Sequence, residues 1–282
     1  MAVKIVFDSA ADINLKEAEA LGAELIPIKI RIGDREYSDG VDLSREEFFE
    51  KLPLCETLPK TSQINPEEFS EVFERLTAGG GEAVCITLSS KLSGTYSNAA
   101  TAAENFNGRV RVVDSLNAST GERLLCLYAL RLAKEGLTAD AIAEKLDEAK
   151  GRITLIAVLD TLVYLKKGGR ISSLTAFAGE MLSIKPVIGI VEGEVKLLGK
   201  AIGSKKSGNL LTKMVREKGV DFTMPHGVMW SGLDDSKLKK YVEDNRDLWA
   251  EETDGLPAYL IGSTIGTHIG GGAIGVAFFA KK

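Results

Sequence analysis

The sequence predicts an α/β fold of two domains, with a parallel sheet in the N-terminal domain and a smaller mixed α/β layer in the C-terminal domain. In the first half, short apolar runs typical of buried strands alternate with longer segments of helical periodicity. Strands separated by helices form parallel sheets whose two faces are covered. In the second half, a hairpin pattern and further strand and helix patterns predict the mixed layer. We place the domain boundary between residues 1–152 and 153–282.

Length, composition and charge restrict the class of protein. The chain has 282 residues, 44% hydrophobic and 27% charged, which is typical of a soluble protein with one large or two medium domains. A net charge of −5 argues against nucleic acid as the main partner, because phosphate neutralisation requires clustered Lys and Arg. No apolar run is long enough for a transmembrane helix, and the first residues have the pattern of a strand, not of a signal peptide. We therefore expect a cytoplasmic protein.

The cysteines and histidines argue against a metal site. Cys55, Cys85 and Cys126 are scattered and odd in number, which fits a reducing compartment, and none has the spacing of a metal ligand. His226 and His268 are the only histidines, so a site built from several histidines cannot form. We expect no metal ion and no organic cofactor.

In chain order, the first half begins with a strand at 4–7 and contains further strands at 25–32, 83–88 and 110–113. The strand at 25–32 and the segment from Arg35 flank Gly33-Asp34, which predicts a hairpin. Helix starts are indicated by a capping residue with Glu three positions later. These capping residues are Asn14, Ser44, Asn65 and Ser119. Thr138 caps a further helix that extends to about Lys150.

The stretch 83–104 contains the strongest candidate for a binding site. Its buried strand leads into a turn with Ser93 and Gly94, followed by a helix of small residues that can lie close to the sheet. The first N–H groups of a helix carry partial positive charge, so an anion such as a phosphate or carboxylate fits beyond the strand end. The alternative is that Ser93 only caps the helix.

Two other strands end in the same dipeptide, Asp8-Ser9 and Asp114-Ser115. In an open α/β sheet, ligands bind outside the carboxyl ends of the strands. Hydroxyl groups from three strand ends could therefore face one crevice. The simpler interpretation is that both Asp-Ser pairs only stabilise turns and helix starts.

The second half begins with a strand at 153–159 and a short helix at 160–165, followed by a basic glycine turn at 166–172. A hairpin turns at Gly193, and later segments predict helices at 204–218 and 234–249 and strands at 228–230, 258–261 and 273–279. His268 lies among four glycines in 266–272, which predicts a loop with little side-chain packing around the histidine. We therefore assign a function to His268, and a structural role to His226 beside Pro225.

Six motifs occur along the chain in a recognisable order. They are Phe7-Asp8-Ser9, Lys60-Thr61-Ser62-Gln63, Leu88-Ser89-Ser90-Lys91-Leu92-Ser93-Gly94-Thr95, Val113-Asp114-Ser115, Leu165-Lys166-Lys167-Gly168-Gly169-Arg170-Ile171, and the glycine loop around His268. In this order and spacing the chain resembles the bacterial DegV family, the FakB-type fatty-acid-binding proteins. Each motif alone is short and unspecific, whereas six in register cover essentially the whole chain.

The resemblance implies two α/β domains with a long-chain fatty acid between them, its carboxylate held by hydroxyl groups and its acyl chain buried. It implies a protein that is not itself a catalyst. Such a protein presents the acyl carboxylate to a separate ATP-dependent fatty acid kinase, which forms acyl phosphate for phospholipid synthesis. Transient contact with a membrane is compatible with this role.

The resemblance also implies roles for individual residues. Thr61 and Ser93 match the hydroxyls that bind the carboxylate, with Gly94 beside them, and His268 matches the histidine near the head group. Arg170 matches the arginine of the Gly-Gly-Arg turn. We expect it, with Lys167, at the mouth of the site or on the kinase-facing surface. Ser62, Ser9 and Ser115 are secondary candidates. A bound carboxylate that protonates His268 would raise its pKa, so retention of the acid would fall as the pH rises above that value.

The chain departs from the family pattern at two places. The loop reads His-Ile-Gly-Gly-Gly, where the family usually has a proline between the last glycines. Ile202 and Ser204 occupy positions at which kinase-docking members are commonly arginine-rich.

Two alternatives belong to other functional classes. A serine hydrolase acting on a lipid or acyl ester would use Ser93 as nucleophile, His268 as base and Asp8 or Asp114 as the orienting acid. The Gly-x-Ser-x-Gly elbow is absent, and a capping Ser93 would already be bonded to backbone N–H groups. Phosphate or nucleotide binding would require a Gly-x4-Gly-Lys-Ser/Thr loop, which the sequence lacks.

Overall fold

The structure is a computed structural model that describes residues 3–171, 184–249 and 255–282, without the side chains of Ser204 and Lys205. Ser172, at the end of the predicted basic turn, and the Ser204 side chain lie outside the described part. The helices are α1 Leu15–Leu21, α2 Arg45–Lys51, α3 Pro66–Thr77, α4 Thr95–Ala103, α5 Ser119–Lys134, α6 Ala139–Lys150, α7 Val163–Lys167, α8 Ser204–Lys218, α9 Ser236–Asp244 and α10 Ser263–Ile269. The strands are β1 Lys4–Asp8, β2 Glu24–Ile26, β3 Lys29–Ile32, β4 Arg35–Ser38, β5 Lys60–Ser62, β6 Ala83–Thr87, β7 Val110–Asp114, β8 Ile153–Val158, β9 Ile184–Val191, β10 Glu194–Ile202, β11 His226–Trp230, β12 Ala258–Leu260 and β13 Ile274–Phe279.

The residues up to 152, which we call the N-terminal unit, contain a four-stranded parallel sheet with strand order β2-β1-β6-β7. The chain passes from β1 to β2 on one side and later returns to place β6 on the other side of β1. The strand order therefore reverses between β1 and β6, and in open α/β sheets the crevice at such a point is where ligands bind. The predicted parallel sheet is confirmed, and the Ser93 turn follows the carboxyl end of β6.

The predicted single strand at 25–32 is wrong, because the segment divides at Pro27. The residues before it form β2 in the parallel sheet, whereas β3 belongs to a separate three-stranded antiparallel sheet of order β4-β3-β5. Proline cannot donate to a strand ladder, which favours a break at this position. The predicted turn between β3 and β4 is confirmed, with Gly33 at a positive φ of 59°. The small sheet carries Thr61 on β5, opposite Ile30.

The residues from 153 onward, which we call the C-terminal unit, contain a six-stranded mixed sheet of order β10-β9-β8-β13-β11-β12. Only β11 and β12 pair in parallel, and the other neighbours are antiparallel. The predicted hairpin at Gly193 joins β9 and β10 and is confirmed. This unit is the shorter one in sequence, yet its sheet is wider than the parallel sheet.

Helix α5 lies between the two large sheets and joins their cores. Its side chains Leu124, Leu125 and Ala129 belong to one apolar cluster with Ile5 of β1 and Phe279 of β13. Helices α3 and α4 cover the opposite face of the parallel sheet, and α8 and α9 cover the opposite face of the mixed sheet. The two units therefore share a continuous apolar core.

Local capping patterns predicted most helix starts correctly. Complete capping boxes begin α1 at Asn14, α2 at Ser44 and α3 at Asn65, and Thr138 caps α6. The predicted capping box at Ser119 is wrong. Its φ is +56° and its hydroxyl donates to Asp12 at 2.5 Å, so the cap position of α5 is Ala118.

Two predicted elements of the second half are shifted or shortened. The short helix predicted at 160–165 begins later, as α7, and the helix predicted at 234–249 is α9 followed by a short 3-10 turn at Arg246–Leu248. Within residues 3–171, 184–249 and 255–282, no helix has both the length and the apolar composition needed to cross a bilayer.

Candidate ligand-binding cavity

A cavity of about 400 Å³ lies between the two units, within the range of about 300–1,000 Å³ typical of small-molecule sites. Most of its wall is apolar. The apolar wall includes Ile28, Leu88, Leu92 and Ala118 from the N-terminal unit and Leu155, Ala157, Leu159, Ile188, Val195, Met229 and Ile261 from the C-terminal unit. Polar residues in the wall include Thr61, Ser62, Gln63, Ser93, Arg170, Thr264 and His268. The cavity can therefore enclose an apolar molecule and offer hydrogen bonds to a polar group on it.

Thr61 and His268 come together in the wall of the cavity although they belong to different units. The Thr61 hydroxyl lies 3.0 Å from Nε2 of His268. The predicted glycine loop is wrong at this residue, because His268 lies in the last turn of α10, and the chain leaves the helix only at Gly270, where φ is +74°. Glycine can adopt this left-handed conformation without steric cost and therefore ends the helix.

His268 is half-buried, and its Nδ1 is buried without a hydrogen-bond partner among the described residues. Burial, together with the positive charge of Arg170, lowers the pKa of His268 to about 4. In the absence of a carboxylate the histidine is therefore neutral at pH 7. This direction is opposite to the raised pKa expected for the ligand-bound state.

Ser93 and Gly94 line the cavity before α4, but the predicted cap at Ser93 is displaced by one residue. Gly94 occupies the cap position, and the Ser93 hydroxyl accepts from Thr95 N at 3.3 Å and lies 2.9 Å from the Thr95 hydroxyl. Gly94 packs closely against Gln63, since a Cβ at 94 would lie 2.1 Å from Oε1 of Gln63 and would displace that side chain. The amide side chain of Gln63 thus packs against the start of α4, a contact that the sequence did not indicate.

Arg170 lines the cavity and is half-buried. Its guanidinium donates to the carbonyl of Leu92 at 3.3 Å and to that of Gly168 at 2.6 Å. Gly168 packs against the histidine, because a Cβ there would lie 2.6 Å from Nδ1 of His268. Lys167 is exposed and lies outside the cavity wall.

The other predicted hydroxyls separate into two groups. Ser62 lines the cavity beside Thr61. Ser9 and Ser115 are buried and do not line it. The Ser9 hydroxyl accepts from Ile28 N at 3.0 Å, and the Ser115 hydroxyl donates to the carbonyl of Asn117 at 3.1 Å.

Asp8 and Asp114 hold the loops that follow the parallel strands. The Asp8 carboxylate accepts from Leu88 N at 2.8 Å and from Ala10 N at 2.9 Å, which joins the carboxyl ends of β1 and β6. Burial raises the pKa of Asp8 to about 7, although these two backbone hydrogen bonds act in the opposite direction. Asp114 accepts from Ser90 N at 3.2 Å and Leu116 N at 2.9 Å. Both aspartates therefore stabilise turns, and each also accepts a hydrogen bond from the loop that follows β6.

Two carboxylates that sequence reasoning missed position helix α10. Asp39 accepts from Ser263 N at 3.2 Å and Thr264 N at 3.1 Å, and Asp12 accepts from Gly262 N at 2.7 Å. Both aspartates are buried and belong to the N-terminal unit. They bind the start of the helix that carries His268. No local pattern marks an aspartate for a helix more than 200 residues away in the chain.

The described residues include no group of three or more His, Cys, Asp or Glu side chains that could hold a metal ion. Cys85 and Cys126 are buried and Cys55 is partly exposed, and all three are free thiols. His226, assigned to structure from the sequence, packs edge-on against Phe222 at 5.2 Å between ring centroids.

Comparison with known proteins gives consistent matches over the whole chain. A family model described as an uncharacterised protein of the DegV family matches residues 2–281. A DegV domain-containing protein of Caldanaerobacter subterraneus subsp. tengcongensis is 34% identical over 284 residues, covering 99% of each chain. A Thermus thermophilus protein, described as a fatty-acid-binding protein of the DegV family, is 29% identical with a TM-score of 0.86 and complete coverage of both chains. The fatty acid binding protein DegV of Bacillus subtilis is 27% identical with a TM-score of 0.83, again with complete coverage.

Proposed function

The chain belongs to the DegV family, and from this premise we propose that it binds a long-chain fatty acid. The carboxylate would lie at Thr61, Ser93, Gly94 and His268, and the acyl chain would fill the apolar part of the cavity. The observation that carries the proposal is a mainly apolar cavity between the two units that has Thr61, Ser93 and His268 in its wall. The fatty acids bound by the Thermus thermophilus and Bacillus subtilis proteins support the choice of ligand.

The apolar wall would provide most of the affinity. Each methylene group removed from water contributes about 0.8 kcal/mol. Leu155, Ala157 and Ile188 are buried side chains in the wall that would contact the acyl chain. A long acyl chain is therefore held mainly by burial, whereas the polar groups fix which end of the molecule faces them.

The carboxylate would receive hydrogen bonds from hydroxyl groups and from the start of α4. A neutral His268 can donate from Nε2 to the Thr61 oxygen, which leaves the Thr61 hydroxyl free to donate to the carboxylate. The Ser93 hydroxyl can turn from Thr95 towards the ligand, and the positive end of the α4 dipole favours an anion there. Hydrogen bonds to a charged group contribute about 1.5–3 kcal/mol each.

The test is native mass spectrometry of the protein after gentle purification. We expect one long-chain fatty acid per chain, and uptake of added oleate or palmitate by protein from which lipid has been removed. A protein that contains no lipid and takes up neither acid would refute the proposal, and the family relationship would then extend to the fold alone.

We further propose that the protein presents the bound acid to an ATP-dependent fatty acid kinase and is not itself a catalyst. This step rests on the family resemblance. Against hydrolysis, His268 pairs with Thr61, and the Ser93 hydroxyl pairs with Thr95, so the described hydrogen bonds contain no Ser93–His268 pair. Transient contact with a membrane would serve the delivery of the product.

Arg170 gives a test of the kinase step. Its guanidinium is held by two backbone carbonyls near the polar residues of the cavity, so Arg170→Ala should retain lipid but weaken phosphorylation of the bound acid by a cognate kinase. The exposed Lys167→Ala serves as a charge-matched comparison on the same turn. Loss of lipid with normal phosphorylation of the remainder would contradict this role. Absence of phosphorylation in the wild-type protein would indicate a carrier for another partner, consistent with the exposed Ile202.

A further inference from the structure

Strands β8 and β9 separate before their ends. Their pairing consists of Val158–Val187, Ala157–Ile188 and Ile156–Gly189, and no pair follows towards Leu155 and Ile190. On its other side β8 remains paired with β13 as far as Ile153, and β9 remains paired with β10 as far as Val191. The two strands are thus held by different neighbours, and a gap opens between them within the six-stranded sheet.

A second pocket of about 520 Å³ occupies this gap. Its apolar wall includes Ile153, Val191, Leu198 and Met214, and Lys150 and Glu217 are among its polar residues. Lys150 and Glu217 are paired with Asp147 and Lys213, respectively, and the other two charged residues of the wall, Glu192 and Lys218, are exposed. The buried part of the wall is mainly apolar, with Asn117 as a buried polar residue, and it therefore fits an apolar ligand better than an ionic one.

Irregular backbone on β10 shapes the pocket. The register between β9 and β10 shifts between Leu197 and Gly199, which leaves Leu198 without a partner in the ladder. The Leu198 side chain lies over Gly189, where a Cβ would be 2.6 Å from its Cδ1. A larger residue at 189 would displace Leu198, so the glycine and the bulge together determine this wall.

Leu155 and Ile190 line both this pocket and the cavity between the units. Leu155 is buried and Ile190 is partly buried, and together they form the boundary between the two spaces. Leu155 lies on β8, four residues before Leu159, which directly follows the strand, a separation of about 13 Å at the usual rise of an extended chain. Leu159 leads towards the chain segment that carries Arg170, which lies in the cavity wall with the polar residues Thr61, Ser93 and His268. Leu155 lies towards the opposite end of β8.

We propose that the pocket between β8 and β9 is a second acyl subsite, which receives the methyl end of fatty acids that are too long for the cavity between the units. Leu155 and Ile190 are the residues that the chain passes, and they select among acids by length. This inference rests on the proposed function. It adds that the protein also binds saturated fatty acids longer than palmitate. The pocket itself requires no polar group on the ligand.

The test measures competition among acids of different length. Lipid-free protein is mixed with equal amounts of myristate, palmitate, stearate, arachidate and behenate, and native mass spectrometry gives the occupancy of each acid relative to palmitate. Leu198→Trp fills the second pocket without altering the wall of the first cavity. Val191→Trp is an independent variant with the same purpose. Leu198 and Val191 are exposed, at 37% and 42%, so the substitutions should be tolerated by the fold.

We expect the wild-type protein to bind arachidate and behenate, and both tryptophan variants to lose these acids selectively. The loss relative to palmitate should be about fourfold for each methylene excluded, and therefore more than tenfold once two no longer fit. Myristate and palmitate should compete with each other as in the wild type.

Leu155→Ala and Leu159→Ala form a matched pair of cavity variants. Both leucines are buried and line the cavity between the units, but only Leu155 borders the second pocket. Leu155→Ala should increase the occupancy of the longest acids, and adding Leu198→Trp should cancel the increase. Leu159→Ala should not favour long acids in this way.

The outcomes separate the two proposals. Wild-type protein that binds myristate and palmitate, but none of the acids longer than palmitate, would refute the second subsite. Tryptophan variants with an unchanged preference for acid length would also refute it. In both cases the proposed function stands. If wild-type protein binds none of the five acids, the proposed function itself fails, and the second subsite fails with it.

Discussion

His268 and Thr61 are separated by 207 positions in the sequence, and their contact links the two units at the polar part of the cavity. The histidine is neutral at pH 7 because burial opposes its charged form. A neutral imidazole can fix the orientation of the Thr61 hydroxyl without bringing a second charge into the site. The role of His268 is therefore best tested together with that of the hydroxyl groups.

Removing a single hydroxyl should weaken fatty acid binding without abolishing it. Thr61→Ala or Ser93→Ala should each raise the dissociation constant about tenfold to a hundredfold, because each loses one hydrogen bond to a charged group. The double variant should exchange its lipid faster than either single variant in a competition followed by mass spectrometry. Ser97→Ala, an exposed hydroxyl on α4, is the control. If Ser97→Ala weakens binding equally, the weaker binding is caused by a less stable α4 and not by the loss of a hydrogen bond to the carboxylate.

Binding should depend on pH through His268. A carboxylate nearby raises the pKa of the histidine from its free value of about 4, so the bound state takes up a proton between the free and bound pKa values. Retention of the acid should thus improve as the pH falls through the bound-state value, and above it the charge of His268 should have no effect. Dissociation rates measured from pH 8 to pH 5 for wild type and His268→Gln isolate this contribution. Equal slopes for the two proteins would show that His268 is not linked to the ligand.

Helix α10 contacts the N-terminal unit at both of its ends. Its start is bound by Asp39 and Asp12, and its last turn presents His268 to Thr61. Because the helix has only seven residues, its position depends on these tertiary contacts more than on its own stability. The helix therefore transmits the packing of its first turn to the polar part of the cavity.

Asp39→Asn should weaken this connection. An amide keeps one acceptor oxygen but presents an NH2 group to the other backbone N–H, which leaves a buried donor unsatisfied at a cost of about 1–3 kcal/mol. We expect a lower melting temperature and faster loss of bound fatty acid. Asp34→Asn, in the exposed turn between β3 and β4, is the matched control. A variant as stable as wild type, with unchanged lipid exchange, would contradict the positioning role of Asp39.

On the scale of the whole molecule, several carboxyl groups are buried where the two units meet and at the carboxyl ends of the parallel strands. Burial raises the pKa of Asp8 to about 7 and that of Asp12 to about 6, and it raises the pKa of Asp39 and Glu122 as well. Folding therefore favours the protonated, neutral forms of these four carboxyl groups. The stability of the protein should accordingly respond to pH in the direction opposite to that of exposed, salt-bridged acids.

Asp8 provides the clearest test of this response. In the unfolded chain its carboxyl group titrates near 3.8, and in the folded protein near 7. Its stabilising contribution is complete below about 3.8 and is lost as the pH rises towards 7, on the order of 1.4 kcal/mol per pH unit. Urea unfolding at pH 4, 5.5 and 7 should therefore show a steeper loss of stability in wild type than in Asp8→Asn. If both proteins have the same pH slope, Asp8 is already ionised in the folded state.

The sequence by itself determined the features that depend on neighbouring residues. The capping boxes at Asn14, Ser44 and Asn65 and the turns at Gly33 and Gly193 were predictable, because side chain and backbone interact within a few positions. The alternation of strands and helices also predicted the parallel sheet. Six short motifs in register indicated the family, and they also indicated which polar residues to expect in the binding site.

Only the tertiary structure decided which of these residues meet. The strand predicted at 25–32 divides between two sheets, and His268 belongs to a helix that distant aspartates position. Ser119 fails as a cap because Asp12 accepts its hydroxyl. The cavity wall and the gap between β8 and β9 have the same apolar periodicity as an ordinary core, so no local pattern distinguishes them. The physical reason is that a cavity forms where side chains of two units face each other without contact. Those side chains are far apart in the chain, so their relative positions leave no signal in the local sequence.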